Sequence, residues 1–449
     1  MKHLFSRLSP AQKIILSFLL VIFCGSLLLS LPWVQTASSQ AGYLDHLFTA
    51  VSMVCVTGLF TRSVVETYNI WGQLLCMLLI QIGGLGILTF IGFFTMESRK
   101  KLSLKDRRIL RDSFSYGHNR TLGQFVRSIF ITTFTIEGLG ALLLMIRFIP
   151  KFGLIKGIFN SIFLAVSAFC NAGFDNFGND SLLGLQTDVL VNITLALLII
   201  TGGLGFMVWF DLATKLGGKQ KGLHFHTKVV LLLTAGLLVF GTVTSLWTEY
   251  NNPGTIGNLS FGDKLLVSFF QTVSMRTAGF ASIDYTAARP VTLFIYLLQM
   301  FLGGAPGGTA GGLKITTFLV LLLFARKEIL GLHHTNIGRR TLAPQLVQKA
   351  FGVTVIFQLT FLLGLLALGL VTDSSHRFIY LIFETVSALA TVGVTANITT
   401  SLNTAGMIVI MLLMFIGRVG PLTLMVSLNH YQPKKAATLH YSKADIMIG

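Results

Sequence analysis

Long apolar stretches and short mixed ones alternate along this chain in a fixed order. Apolar runs occupy positions 11–31, 70–96, 122–149, 187–213, 228–249, 290–325 (interrupted), 346–371 and 402–428. Each reaches the roughly 18–20 residues that cross ~30 Å of hydrocarbon. Between the two members of every successive pair lies a shorter amphipathic segment, at 45–54, 159–169, 264–275 and 378–389. These segments are too short to span, and they predict helices that enter the membrane and turn back.

Every short segment carries a Val-Ser pair near its end: Val51-Ser52, Val166-Ser167, Val273-Ser274 and Val386-Ser387. Each then runs into a hairpin of small residues. The hairpins read Cys55-Val56-Thr57-Gly58, Cys170-Asn171-Ala172-Gly173, Arg276-Thr277-Ala278-Gly279 and Ala390-Thr391-Val392-Gly393. Recurrence about every 105–115 residues predicts four units in one chain, here bounded at 1–97, 98–215, 216–328 and 329–449. The expected fold is an all-α integral membrane protein. Eight membrane helices form four helix, re-entrant loop, helix units around a pseudo-fourfold pore.

Composition agrees with a bilayer setting. The chain has 449 residues, 53% hydrophobic and 11% charged, and a mean hydropathy of +0.74, more apolar surface than a soluble particle can hide. The first run exceeds a usual signal-peptide core and lacks a small-x-small cleavage site, so it is expected to stay attached. The net charge of +17 gathers in alternate loops, at Lys2 and Arg7, 99–111, 215–221, 326–340 and 434–443, a topology signal rather than a nucleic-acid face. Positive loops face the cytoplasm, so both termini are expected inside, and the opposite loops form a mildly acidic mouth. Cys24, Cys55, Cys76 and Cys170 show no C-x-x-C spacing and read as small buried hydrophobes.

Stripping water from a cation requires replacement oxygens. A row of backbone carbonyls pointing one way forces some residue into dihedrals closed to a Cβ, which gives Gly58, Gly173, Gly279 and Gly393 a reason to recur. Carbonyls of the four hairpins are therefore the expected ligands for a dehydrated potassium ion, with no side-chain hydroxyl at the glycine level. The third unit has one residue fewer between serine and glycine, so the ring is expected to depart from fourfold symmetry. Arg276 brings a charge beside it, harmless if it points outward or pairs with Asp284 and repulsive to cations if it faces the pore.

The third unit also interrupts its second helix with Gly303-Gly304-Ala305-Pro306-Gly307-Gly308-Thr309-Ala310-Gly311-Gly312. At ~1 kcal/mol per glycine and ~3 per proline no helix persists there. An unwound, easily switched loop beneath the hairpins is expected, placed to act as a gate. Arg418, deep in the last apolar run, either snorkels to the inner surface or donates to carbonyls of the 303–312 loop and latches it, the favoured reading. Lys314 either tunes that loop or snorkels. Glu137 is expected to meet a partner between units, and Glu384 either to attract cations or, the favoured reading, to pair locally. Gly83-Gly84-Leu85-Gly86 mimics a phosphate loop only superficially and reads as close helix packing.

On these residues the chain resembles the Ktr/Trk/HKT superfamily of potassium transporters, specifically the Ktr-type membrane subunits. The match runs over nearly the whole chain. It rests on the four hairpins and on Gln81-Ile82-Gly83-Gly84-Leu85-Gly86, Thr201-Gly202-Gly203-Leu204-Gly205 and Ile416-Gly417-Arg418-Val419-Gly420-Pro421. The resemblance implies potassium uptake across a bacterial plasma membrane and a homodimer with one pore per protomer. It also implies a cytosolic RCK-type ring (KtrA/KtrC-like) that binds ATP or ADP, no cofactor being expected on this chain. Competing readings are a sodium-preferring or sodium-dependent relative, against which Gly58 argues, a proton-coupled carrier and a membrane-embedded enzyme. The last two lack the acidic chains or the Ser/His/Asp and metal-spaced sets they need.

Overall fold

The computed structural model describes residues 10–86, 122–178, 181–218, 220, 222–372 and 377–420. The basic positions at 2, 7, 99–111 and 434–443, and the apolar stretches 87–96 and 421–428, lie outside the described residues. The fold is helical: α1 (Pro10–Leu29), α2 (Tyr43–Cys55), α3 (Ile70–Leu85), α4 (Leu122–Phe152), α5 (Leu154–Phe169), α6 (Val189–Gly203), α7 (Phe206–Leu216), α8 (Phe225–Glu249), α9 (Phe261–Ser274), α10 (Pro290–Phe301), α11 (Ile315–Ile329), α12 (Pro344–Val371), α13 (Phe378–Leu389) and α14 (Thr404–Val419). A two-residue hairpin, Asn336–Ile337 with Arg340–Thr341, joins α11 to α12.

Among the described residues four helices are long and apolar enough to cross a bilayer, α1, α4, α8 and α12, the first of each sequence repeat, or five if the bent pair α6 and α7 counts as one span. Their outward faces carry exposed apolar side chains such as Leu232 and Leu363, as hydrocarbon contact requires. The chain is a multi-pass membrane protein.

The second helices, α3, α6, α10 and α14, stop after 16, 15, 12 and 16 residues, shorter than the apolar runs suggested. Glycine is the physical reason in three of them: Gly86, Gly205 and Gly420 adopt φ of 82°, 88° and 88°, a left-handed region that ends a helix. After Gly205 the chain resumes as α7, bent by 98° from α6. At their other ends α3, α6 and α14 start on side-chain caps. Asn69 accepts from the Trp71 and Gly72 amides, Asp188 from Val191 and Asn403 from Gly406.

Packing closes a circle. Each second helix lies against the short helix of the next repeat: α3 on α5, α6 on α9, α10 on α13, and α14 back on α2. Close approach uses the expected glycines. A Cβ on Gly83, Gly202 or Gly417 would run into the carbonyl oxygen of Val54, Phe169 or Leu389 respectively, each in the last turn of the repeat's own short helix.

Candidate functional site

The four short helices end at Cys55, Phe169, Ser274 and Leu389, just before the four hairpins, and the hairpins meet one another. The contact is cyclic. A Cβ built on Gly58 would lie 2.8 Å from the Ala172 carbonyl oxygen, on Gly173 2.7 Å from that of Ala278, and on Gly279 2.6 Å from that of Val392; on Gly393 it would strike that of Thr57. The carbonyl that precedes each glycine therefore occupies the space left by the glycine one repeat earlier. All four glycines have positive φ, between 69° and 105°.

Glycine is not the whole device. Two positions before each one, Val56, Asn171, Thr277 and Thr391 also lie in the left-handed region, at φ 56°, 57°, 67° and 52°. Three of these are β-branched, for which that region is a true outlier. The residue between each such position and its glycine, Thr57, Ala172, Ala278 or Val392, has no positive φ, so two left-handed positions flank an ordinary one in every hairpin. Sequence reasoning assigned this strain to the glycines alone.

The recurrent serine holds each hairpin. Its carbonyl accepts from the amide before the glycine in every repeat: Thr57 to Ser52 at 2.8 Å, Ala172 to Ser167 at 2.8 Å, Ala278 to Ser274 at 2.9 Å and Val392 to Ser387 at 2.8 Å. The hydroxyls add a second tie. Ser52 and Ser387 accept from the Gly58 and Gly393 amides and Ser167 from Phe174, whereas Ser274 donates to the Phe280 carbonyl at 2.5 Å. That exception absorbs the missing residue of the third repeat. Thr277 and Gly279 keep the dihedral pattern and Gly279 keeps its place in the cycle, and the shortening shows as a tighter turn from Ser274 to Ala278. Near the ring the hydroxyls of Thr57, Thr277 and Thr391 are buried without a protein partner.

Arg276 does not pair with Asp284; it lines a small cavity with Asn171, Ile199, Ile200, Gly203 and Gly304. It is buried at 8% exposure, its Nε has no partner, and Asp284 instead accepts from the Thr286 amide and hydroxyl. Cys55, Cys170 and Ala390, at the same place in the other hairpins, are fully buried.

Between α10 and α11 the 303–312 loop is non-helical, as its composition demands, but it is not loosely held. The Ala305 and Thr309 amides donate to Gly203 and Gly202 at 2.9 and 3.2 Å, and the Phe206 amide donates back to Gly307 at 3.0 Å. The loop is thus fastened to the α6–α7 bend. The Thr309 hydroxyl reaches the Phe169 carbonyl, and Lys314 Nζ caps the Ala310 carbonyl at 2.7 Å rather than snorkelling. Gly311 packs on Thr391 so closely that a Cβ would collide with its hydroxyl, which sets the loop directly beside a hairpin.

Arg418 lies across the same level. Its Nη1 donates to the Thr309 carbonyl, and its Nη2 donates to Gly83 and, at 3.1 Å, to Gly84. The first partner belongs to the expected loop; the other two, in the first repeat, had no sequence signal. Glu137 bridges repeats by accepting from Gln81 Nε2 at 3.1 Å, and Glu384 accepts locally from the Thr395 and Thr399 hydroxyls.

Comparison with known proteins fits this geometry. The family model described as "TrkH: Cation transport protein" matches residues 7–438. The chain is 38% identical to the Ktr system potassium uptake protein B of Bacillus subtilis, covering 99% of this chain and 97% of that one. It is 39% identical to the potassium/sodium uptake protein NtpJ of Enterococcus hirae, covering 100% and 99%. The crystal structure of the potassium transporter TrkH from Vibrio parahaemolyticus superposes with a TM-score of 0.73 at 16% identity, over 93% of this chain and 84% of that one. The chain belongs to the TrkH family of cation transport proteins.

Proposed function

We propose that this protein takes up potassium ions through the junction of its four hairpins. The observation that carries the reading is the cyclic contact of Gly58, Gly173, Gly279 and Gly393 with the carbonyls of Ala172, Ala278, Val392 and Thr57. Oxygens brought together in this way replace a hydration shell at fixed positions, and no side chain competes at the glycine level. Four helix C-termini at the junction add partial negative charge. The partnerless hydroxyls of Thr57, Thr277 and Thr391 are further oxygens for an ion or its water.

In this reading the four repeats, bounded at 1–97, 98–215, 216–328 and 329–449, each supply a membrane helix, a re-entrant helix and a second membrane helix, with both termini cytoplasmic. The 303–312 loop closes the path below the hairpins and Arg418 latches it. The protein works as a homodimer on a cytosolic nucleotide-binding RCK-type ring; the Ktr-system names of its relatives support partnership with other subunits. The name of the Enterococcus hirae relative supports a second reading, transport of sodium as well. Expression in a host lacking potassium uptake, with potassium and sodium flux measured side by side, tests both. Rescue at low potassium supports the first reading. Flux of sodium alone, or of neither ion, refutes it.

A further inference from the structure

A cleft of about 620 Å³ opens between the first and second repeats, its lining free of the four hairpin segments and of the 303–312 loop. Lys151 and Lys156 stand on its rim, at the end of α4 and the start of α5. Both are exposed, and the ion pairs among the described residues (Arg147 with Asp188, His224 with Asp211, Lys327 with Glu328) include neither. Phe152 and Phe177, stacked with centroids 5.7 Å apart, form one wall. Asn176, only 6% exposed, lines the cleft too; its Nδ2 donates to Asn160 at 2.7 Å while its Oδ1 has no donor. A buried carbonyl of this kind calls for a hydroxyl.

The surroundings are those of a membrane interface. Leu154 and Ile155, between the two lysines, are 64% and 77% exposed, a placement that suits acyl chains. Trp33 and Trp71 protrude beside Ile70, which itself lines the cleft, as aromatic side chains do at headgroup level. Lysines flanking apolar side chains at that depth attract anionic lipid.

We propose that this cleft binds the headgroup of a phosphatidylglycerol-type lipid. Lys151 and Lys156 hold the phosphodiester, a glycerol hydroxyl reaching the floor donates to Asn176 Oδ1, and the acyl chains lie over Leu154 and Ile155. The proposal rests on the membrane placement and not on the potassium reading, so lipid retention and ion flux fail separately.

The test is native mass spectrometry of the whole protein in mild detergent, titrated with phosphatidylglycerol or with phosphatidylcholine of the same chains. The wild type is expected to retain phosphatidylglycerol preferentially. The Lys151→Gln/Lys156→Gln variant, altered only at exposed positions, should bind it on the order of ten- to thirtyfold more weakly. Lys215→Gln/Lys228→Gln, which removes the same charge elsewhere, should keep the preference. Equal retention of the two lipids, an unchanged rim variant, an equal loss in the control variant, or displacement of the lipid by millimolar glycerol 3-phosphate would each overturn the proposal.

Discussion

Arg418 donates to the carbonyl oxygen of Thr309, a residue 109 positions earlier in the chain. With its contacts to Gly83 and Gly84, one guanidinium joins the first, third and fourth repeats. It stands where the other repeats have Gly84, Gly203 and Gly304. A charge-assisted hydrogen bond contributes about 1.5–3 kcal/mol, so losing the tie to the loop shifts the balance between closed and open forms at least about tenfold. Arg418→Gln should therefore raise rubidium uptake by cells several-fold. Unchanged or lower uptake by a normally expressed variant would count against a latch.

Gly58 has no room for a methyl group, since a Cβ would sit 2.8 Å from the Ala172 carbonyl oxygen at φ 105°. Left-handed backbone alone costs an alanine ~1–2 kcal/mol, and the collision comes on top. Gly58→Ala should reduce potassium uptake at least about tenfold while the protein still reaches the membrane. The four glycines provide replicates: Gly173→Ala, Gly279→Ala and Gly393→Ala should behave alike in the same flux assay.

Ser387 and Ser274 hold their hairpins by opposite bonds, one accepting from the Gly393 amide and the other donating to the Phe280 carbonyl. Replacing the first by alanine leaves a buried amide unpaired, at ~1–3 kcal/mol. Carbonyl oxygens have a second lone pair and tolerate the loss better. Ser387→Ala and Ser52→Ala should lower the ratio of potassium to sodium flux more than Ser274→Ala does. The ratio, measured in proteoliposomes, decides it.

Glu137 accepts a hydrogen bond from Gln81 across the first two repeats, at 3.1 Å. Glu137→Leu strands the Gln81 amide and should lower stability by ~1–3 kcal/mol. Glu137→Gln, which keeps an acceptor, should lose less. Thermal unfolding in detergent, followed by loss of the monodisperse peak, would show the order; equal losses would mean that the side chain only fills space.

The hairpins and short helices could be read in the sequence because they recur, and a fourfold coincidence of Val-Ser and glycine has few explanations other than a shared geometry. α13 lies at the expected 378–389. α5 begins at Leu154, five residues before the expected start, because Gly153 at φ 83° sets the break while Leu154 and Ile155 look like more of the preceding apolar run. The ends of α3, α6 and α14 were hidden for the same reason: apolar residues continue past the glycine, and hydropathy does not register a 98° bend. Left-handed Val56, Thr277 and Thr391 run against local preference, so only closure of the circle reveals them. Arg418 announced that it needed acceptors but not which ones, since any chain offers carbonyls everywhere.

The glycine circle has a genetic consequence. The room each glycine leaves is filled from the following quarter of the molecule, so a lesion is felt first by its neighbour and not by the segment that bears it. Second-site revertants of a Gly58 substitution belong around Ala172, those of Gly173 around Ala278, and so on around to Thr57. Elsewhere the four quarters are free to drift apart, as the shortened third one has. At this level they evolve as a set.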